Sequence, residues 1–298
     1  MSAPLAPFGH VLTAMVTPFT PDGDLDLARA AELADRLVSR GNNGLVVSGT
    51  TGEAPTTTDR EKSDLLRAVV DAVGGRAQVL AGVGTYDTRG SVELAREAEK
   101  AGAQGLLVVT PYYSKPPQAG IIAHLRGVAD ATALPVMLYD IPGRTGTALE
   151  TDTLVELSAH PQIVAVKDAK DDLQATAELL SRCDLAVYSG TDALNLPLLA
   201  LGAVGVVSVV SHVVTEQIVS LVAAHHAGDA ATARTINRAL QPVYTGIFRS
   251  QGAIMTKAAL DLLGFPVGPL RLPLVEATAV ERALLRQDLA EAGLLPPS

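Results

Sequence analysis

The chain has 298 residues, 48% hydrophobic and 18% charged, enough to bury a large core in an ordinary globular protein. Its formal net charge of −9 comes without a basic run or an interleaving of basic and aromatic residues, which argues against a nucleic-acid surface. The one cysteine, Cys183, excludes an intramolecular disulfide and a zinc cluster, no stretch reaches the roughly 18 uninterrupted apolar residues of a membrane span, and MSAPLAPFG lacks the basic segment and apolar core of a signal peptide, so a cytoplasmic chain is expected.

Short apolar runs alternate with longer amphipathic ones. In chain order the strand candidates are VLTAMV (11–16), GLVVS (44–48), AQVLAGV (77–83), GLLVVT (105–110), PVMLYD (135–140), IVAVK (163–167), LAVYS (185–189) and VGVVSVV (204–210). They are β-branched or leucine-rich on both faces, the pattern of parallel strands covered on both sides. Between them lie helix-length segments such as DLARAAELADRLVSR (26–40), DREKSDLLRAVVDAV (59–73) and TRGSVELAREAEKA (88–101). Their apolar residues recur at three and four, and Gly41, Gly74 and Gly102 mark their ends.

Eight strand–helix units in about 225 residues predict an α/β fold, a (β/α)8 TIM barrel, with an open doubly wound sheet as the alternative. From about residue 231 the alternation stops, and ATARTINRALQPVYTGIF, AIMTKAALDLLG and EATAVERALLRQDLAEAG read as three helices without a strand between them. The expected organisation is a barrel over 1–230 carrying the active site, and a C-terminal helical appendage over 231–298.

In such a barrel the chemistry sits at the C-terminal strand ends and in the loops that follow. Those ends read SGTTGE (48–53), TPYYSKPP (110–117), YDIPGRTG (139–146), KDAKDDL (167–173) and SGTDALNLP (189–197). Of the six lysines, Lys62, Lys100, Lys115, Lys167, Lys170 and Lys257, only Lys167 directly ends a run as apolar as IVAV. An amine held there is partly desolvated, which lowers its pKa and frees it to attack a carbonyl. The bland alternative is a lysine that snorkels to solvent. Tyr139 closes the neighbouring strand, where a phenol can pass protons to a carbinolamine oxygen, or can simply be a core aromatic. Gly49, Thr50, Thr51 and Gly52 offer amides and hydroxyls suited to a small carboxylate, although Gly-Thr-Thr-Gly is also an ordinary turn. Arg144 could hold a second carboxylate bidentately, or lie idle on the surface.

Other motifs fail. GVGTYD (82–87) has Asp87 where a dinucleotide fingerprint needs its third glycine, and DGDLD (22–26) lacks the glycine and closing glutamate of a calcium loop. The histidines form no HxH or HExxH pattern, so no catalytic metal is expected. His225 and His226 read as a helix end, His212 as the only histidine near the barrel mouth, and Cys183 as a partly buried small residue.

Taken together in order and spacing, GTTGE, TPYY, the Tyr–x–x–Pro–Gly–Arg–Thr–Gly loop and the isolated lysine resemble the dihydrodipicolinate synthase/N-acetylneuraminate lyase family, in its actinobacterial form. The resemblance runs over nearly the whole chain, from LTAMVTPFTPDGDLD to RSQGAIMTKAAL. It implies an imine between Lys167 and pyruvate, whose enamine attacks L-aspartate 4-semialdehyde to give 4-hydroxy-tetrahydrodipicolinate. It implies a proton relay of Thr50, Tyr113 and Tyr139, with Tyr113 reaching in from a neighbouring subunit of a homotetramer. Thr51 would hold the pyruvate carboxylate through its backbone amide, with Gly49, Gly190 and Val207 completing the substrate-binding set. Arg144 would meet the carboxylate of the semialdehyde, which favours a synthase over a sialic-acid lyase. No metal or organic cofactor is implied.

The chain departs from the family pattern in four places. Tyr86 replaces an asparagine of lysine-regulated members, which speaks against lysine feedback; Ser114 and Thr191 replace a common asparagine and aspartate, and Asp168 a frequent glutamate. These admit a pyruvate-dependent aldolase or hydratase-aldolase acting on another aldehyde or 2-oxo sugar acid. A non-catalytic binding protein on the same scaffold is the reading from a different class.

Overall fold

The eight apolar runs become eight short strands because each buries both of its faces, as strands of a parallel sheet do when helices cover it. The computed structural model describes residues 6–296; residues 1–5, most of the leading segment compared with a signal peptide, and residues 297–298 lie outside. The strands are β1 Val11–Ala14, β2 Gly44–Val47, β3 Gln78–Gly82, β4 Gly105–Val109, β5 Val136–Asp140, β6 Ile163–Asp168, β7 Ala186–Ser189 and β8 Gly205–Ser208. Each pairs in parallel with the next, and β8 returns to β1, closing a TIM barrel.

The helices outside it are α1 Leu27–Ser39, α2 Asp59–Val73, α3 Thr88–Lys100, α4 Gln118–Ala129, α5 Pro142–Thr145, α6 Thr151–Leu157, α7 Leu173–Arg182, α8 Asn195–Leu201 and α9 Ser211–His226. Their starts are chemically marked. Asp26, Asp87 and Asp172 cap α1, α3 and α7 through their carboxylates, and Thr58 with Glu61 forms a capping box on α2. Helix α1 buries Ala30, Leu33, Ala34 and Leu37, one stripe at helical spacing. Gly41 and Gly102 take the left-handed conformation just past α1 and α3, at φ 109° and 91°. Gly74 does not: it stays right-handed at φ −59°, so α2 stops without that turn.

Most strands stop short of the apolar run that announces them. Met15 and Val16 remain buried beyond β1, because the barrel mouth covers side chains after the ladder ends. Strand β6 does the opposite and runs on to Asp168, which places Lys167 inside the strand rather than at its end.

After the barrel come α10 Ala230–Ala239, α11 Gln241–Ile247, α12 Gly252–Leu262 and α13 Ala279–Glu291. The single helix expected over 231–248 is therefore two. Pro242 lies in the first turn of α11, where its missing N–H breaks no hydrogen bond; inside a continuous helix it would break one. Helices α11 and α12 pack against α13, and α12 also against α9, so the appendage is welded to the last barrel helix.

Candidate active site

Parallel register decides which side chains meet over the barrel mouth. Tyr139 is the Cα partner of Lys167, and Lys167 that of Tyr188, so the ends of β5, β6 and β7 stand level. Lys167 is only 4% exposed, and its Nζ lies 4.2 Å from the centroid of the Tyr139 ring. Burial drives the Lys167 ammonium down from the usual 10.5 to about 8; the Asp192 carboxylate pulls it back up and the Arg144 cation pushes it further down. Tyr139 is pushed up to about 12 by its own burial, against the opposing pull of Arg144 and of the Thr50 hydroxyl beside it. The phenol therefore keeps its proton at neutral pH, and a useful share of the amine does not.

The segment holds a second lysine, three residues on, and its surroundings are different. Asp140 and Asp168 are the next register pair along β5 and β6. Lys170 Nζ lies 3.5 Å from Asp140 Oδ2 and 4.0 Å from Asp168 Oδ2, and Thr176 donates to Asp168 as well. Burial lifts Asp140 to about 6, with Lys170 opposing that shift. Lys170 is tied to two carboxylates, whereas the close neighbour of Lys167 is an aromatic face. Of the two, only Lys170 has a carboxylate within ion-pair distance.

A cleft of about 740 Å³ opens above this pair, with Lys167, Tyr139, Thr50, Thr51, Arg144 and Gly190 in its wall. An adjoining recess of about 200 Å³ adds Gly49 and Tyr112. Gly190 has a steric reason: a Cβ there would come within 2.9 Å of Lys167 Cγ and Cε. Arg144 sits exposed at the rim on the one-turn helix α5, which ends at Gly146 with φ 76°. These residues come together as the sequence suggests.

Two do not join them. Tyr113 is 91% exposed, holds φ 71°, and lines neither cavity of its own chain; Tyr112 lines the recess instead, stacked edge-on against Tyr86 at 5.4 Å. Val207 is buried within β8, and the valine in the cleft wall is Val209, just past the strand end.

Several residues at or behind the cleft carry little mark in the sequence. Asp192 is buried and accepts hydrogen bonds from Ser208 Oγ, Asn195 Nδ2 and the backbone N–H groups of Val209 and Val210. It ties β7 to β8 behind Lys167, and an acidic residue just after an apolar strand was its only signal. The appendage also reaches the cleft, through Tyr244, Phe248 and Gln251, and nothing local marks them. His212 turns out to be structural: Nε2 accepts from Val16 N–H, Nδ1 lies 2.8 Å from Val209 O, and burial lowers it to about 4. Among the described residues no group of three or more His, Cys, Asp or Glu is placed to hold a metal ion.

The sequence matches the model of the dihydrodipicolinate synthetase family over residues 7–292. It is 66% identical over 288 residues to a 4-hydroxy-tetrahydrodipicolinate synthase of Acidothermus cellulolyticus, covering 97% of this chain and 94% of that protein. It is 60% identical to 4-hydroxy-tetrahydrodipicolinate synthase 2 of Streptomyces coelicolor, covering 98% of each. The fold superposes on a lysine-bound dihydrodipicolinate synthase of Cyanidioschyzon merolae with a TM-score of 0.94 at 43% identity, covering 97% of this chain and 99% of that one.

Proposed function

The chain belongs to the dihydrodipicolinate synthetase family, and on that premise we propose how its own residues carry out the family's reaction. It is a 4-hydroxy-tetrahydrodipicolinate synthase: a lyase that condenses pyruvate with L-aspartate 4-semialdehyde in lysine and diaminopimelate biosynthesis, through a lysine–pyruvate imine and without a further cofactor.

The neutral Lys167 amine attacks C2 of pyruvate. Tyr139, its phenol still protonated and flanked by Thr50, delivers a proton to the carbinolamine oxygen, so that water leaves and the imine forms. The imine draws electrons from the pyruvate methyl group, which loses a proton to give the enamine. That carbon adds to the aldehyde of the semialdehyde, and the new alkoxide takes up a proton. The amino group of the second substrate then attacks the imine carbon and expels Lys167, closing the ring. The Thr51 amide, with Gly49 and Gly190 around it, holds the pyruvate carboxylate, and Arg144 takes the carboxylate of the semialdehyde from the rim. The observation that carries this assignment is the contrast between Lys167, over the Tyr139 ring, and Lys170, between two carboxylates.

The assembly belongs to the same proposal. An almost fully exposed tyrosine in a left-handed backbone conformation suits Tyr113 to a neighbour's cleft, in a homotetramer built as a dimer of dimers. The working unit is the barrel of 1–230 with the appendage of 231–298 walling its cleft. No helix among the described residues is long and apolar enough to cross a membrane. By likeness to its relatives the enzyme acts on small molecules in the cytoplasm, without nucleic-acid or membrane partners. Tyr86, 63% exposed and stacked on Tyr112, favours an enzyme that L-lysine does not inhibit.

Borohydride reduction in the presence of pyruvate, followed by peptide mapping, should find the adduct on Lys167. An adduct on Lys170, or none, sinks the assignment. Assaying the semialdehyde against 2-oxo sugar acids tests the aldehyde partner, and turnover of only a sugar acid would move the enzyme to another aldolase of this family.

A further inference from the structure

The loop after β2 must present two threonines to the cleft, yet its backbone is held under strain. Ser48 and Glu53, on either side of Gly49–Gly52, both have positive φ, 54° and 55°, a region that side chains normally avoid. Thr17 Oγ1 donates to Gly52 O at 2.6 Å from the β1 side. The stronger constraint comes from the appendage. The Glu53 carboxylate is wholly buried; its Oε1 lies 2.7 Å from Lys257 Nζ of α12, and its Oε2 accepts from the Arg271 backbone N–H at 2.9 Å.

Both cations are fixed in turn. Lys257 donates to Pro269 O at 2.6 Å and sits 4.4 Å from the centroid of the Phe19 ring, while the Arg271 guanidinium lies 4.3 Å from that ring. Arg271 also donates to Gly23 O, Thr56 O and the Glu61 carboxylate that caps α2. The chain between them hugs the β1–α1 loop so closely that a Cβ on Gly268 would lie 1.7 Å from Phe19 O. A buried ion pair gains little stability over apolar packing, because both charges lose their water. Its consequence here is one of position: the charges fix the strained end of the loop that carries Thr50 and Thr51.

We infer that Lys257, acting through the buried Glu53 carboxylate and backed by Arg271, is a positioning residue that sets this loop to receive the pyruvate carboxylate. The inference rests on the role proposed above for Thr51. It makes the C-terminal appendage part of the pyruvate site without contributing an atom to the reaction.

The test uses the full-length enzyme and follows borohydride trapping at Lys167 against pyruvate concentration, with both KM values and the melting temperature. Lys257→Met should raise the pyruvate half-saturation about tenfold or more and move the semialdehyde KM by less than about twofold, as expected when a binding loop is misplaced by a fraction of an ångström. Lys257→Arg, which keeps the charge, should recover most of the loss. Removing both charges in the Lys257→Met, Glu53→Gln double variant should recover part of it. Should Lys257→Met not fold, Arg271→Met keeps the backbone donor to Glu53, removes the outer anchor, and should show the same split in weaker form. A lower melting temperature with an unchanged pyruvate half-saturation overturns the inference, as does a parallel rise in both KM values. Absence of an adduct in the wild-type enzyme would remove the functional reading beneath it; a wild-type adduct with wild-type dependence in every variant removes only the inference.

Discussion

Replacing Lys167 with methionine should make the protein more stable. The side chain is nearly completely buried over Tyr139, and methionine has a similar length without the charge. Its fall from 10.5 in the unfolded chain to about 8 in the folded one corresponds to about 3 kcal/mol at pH 7. The sign follows from proton binding: the unfolded chain holds the lysine proton more tightly, so folding must either bury a charge or release a proton. That cost is present in full below pH 8 and fades as pH rises from 8 towards 10.5. Urea unfolding of wild type and Lys167→Met, at one fixed protein concentration, measures it. The variant should gain about 3 kcal/mol at pH 7 and less than about 1 kcal/mol at pH 10. A variant no more stable than wild type at pH 7, or a gain that ignores pH, would show that Lys167 is not held as a desolvated amine. The stored cost would then be no part of its reactivity.

Three other outcomes follow from the same geometry. At subsaturating pyruvate, the rate of adduct formation should climb about tenfold per pH unit and level off near pH 8; a rise continuing to pH 10 would mean an unperturbed lysine. Tyr139→Phe removes the proton donor but leaves the amine, so borohydride should still trap pyruvate on Lys167 while turnover falls about 10²- to 10⁴-fold, and unchanged turnover would take Tyr139 out of the relay. Arg144→Leu should raise the KM for the semialdehyde about 10- to 100-fold, the loss of one charge-assisted contact, with little change for pyruvate. Because the Arg144 cation also lowers Lys167, the plateau of adduct formation should move to higher pH in that variant, and a move to lower pH would contradict the charge layout.

The barrel was legible because burial on both faces writes itself into composition: eight β-branched or leucine-rich runs have few other ways to be covered. Where each strand stops was not, since Met15, Val16 and Thr110 stay buried after the ladder has ended and look no different in sequence. That same blurring separates Val207 from Val209: the first lies within β8, and the second, just past the strand end, reaches the cleft wall. The joint at Pro242 could have been read from the proline alone. Tyr244 could not, because it reaches the cleft by the packing of α11 across the barrel, a contact fixed by long-range assembly.

The buried lysines show why spacing can nominate a nucleophile but not select one. Lys167, Lys170 and Lys257 all have side chains largely removed from solvent, so burial alone does not tell them apart. What separates them is the carboxylate each meets: Lys170 lies between Asp140 and Asp168, and Lys257 against Glu53, while Lys167 meets only the longer-range field of an Asp192 already occupied by four hydrogen-bond donors. Glu53 and Lys257 are 204 positions apart, and no local pattern joins them. An apolar run ending in lysine therefore points to a reactive amine only where the folded chain withholds a close counter-charge. Moving a carboxylate to within ion-pair distance of Lys167, as Ala169→Asp would attempt, should abolish adduct formation at neutral pH while leaving a folded barrel by circular dichroism. Retained adduct formation with the new carboxylate in place would mean that burial, rather than the missing partner, sets the reactivity of Lys167.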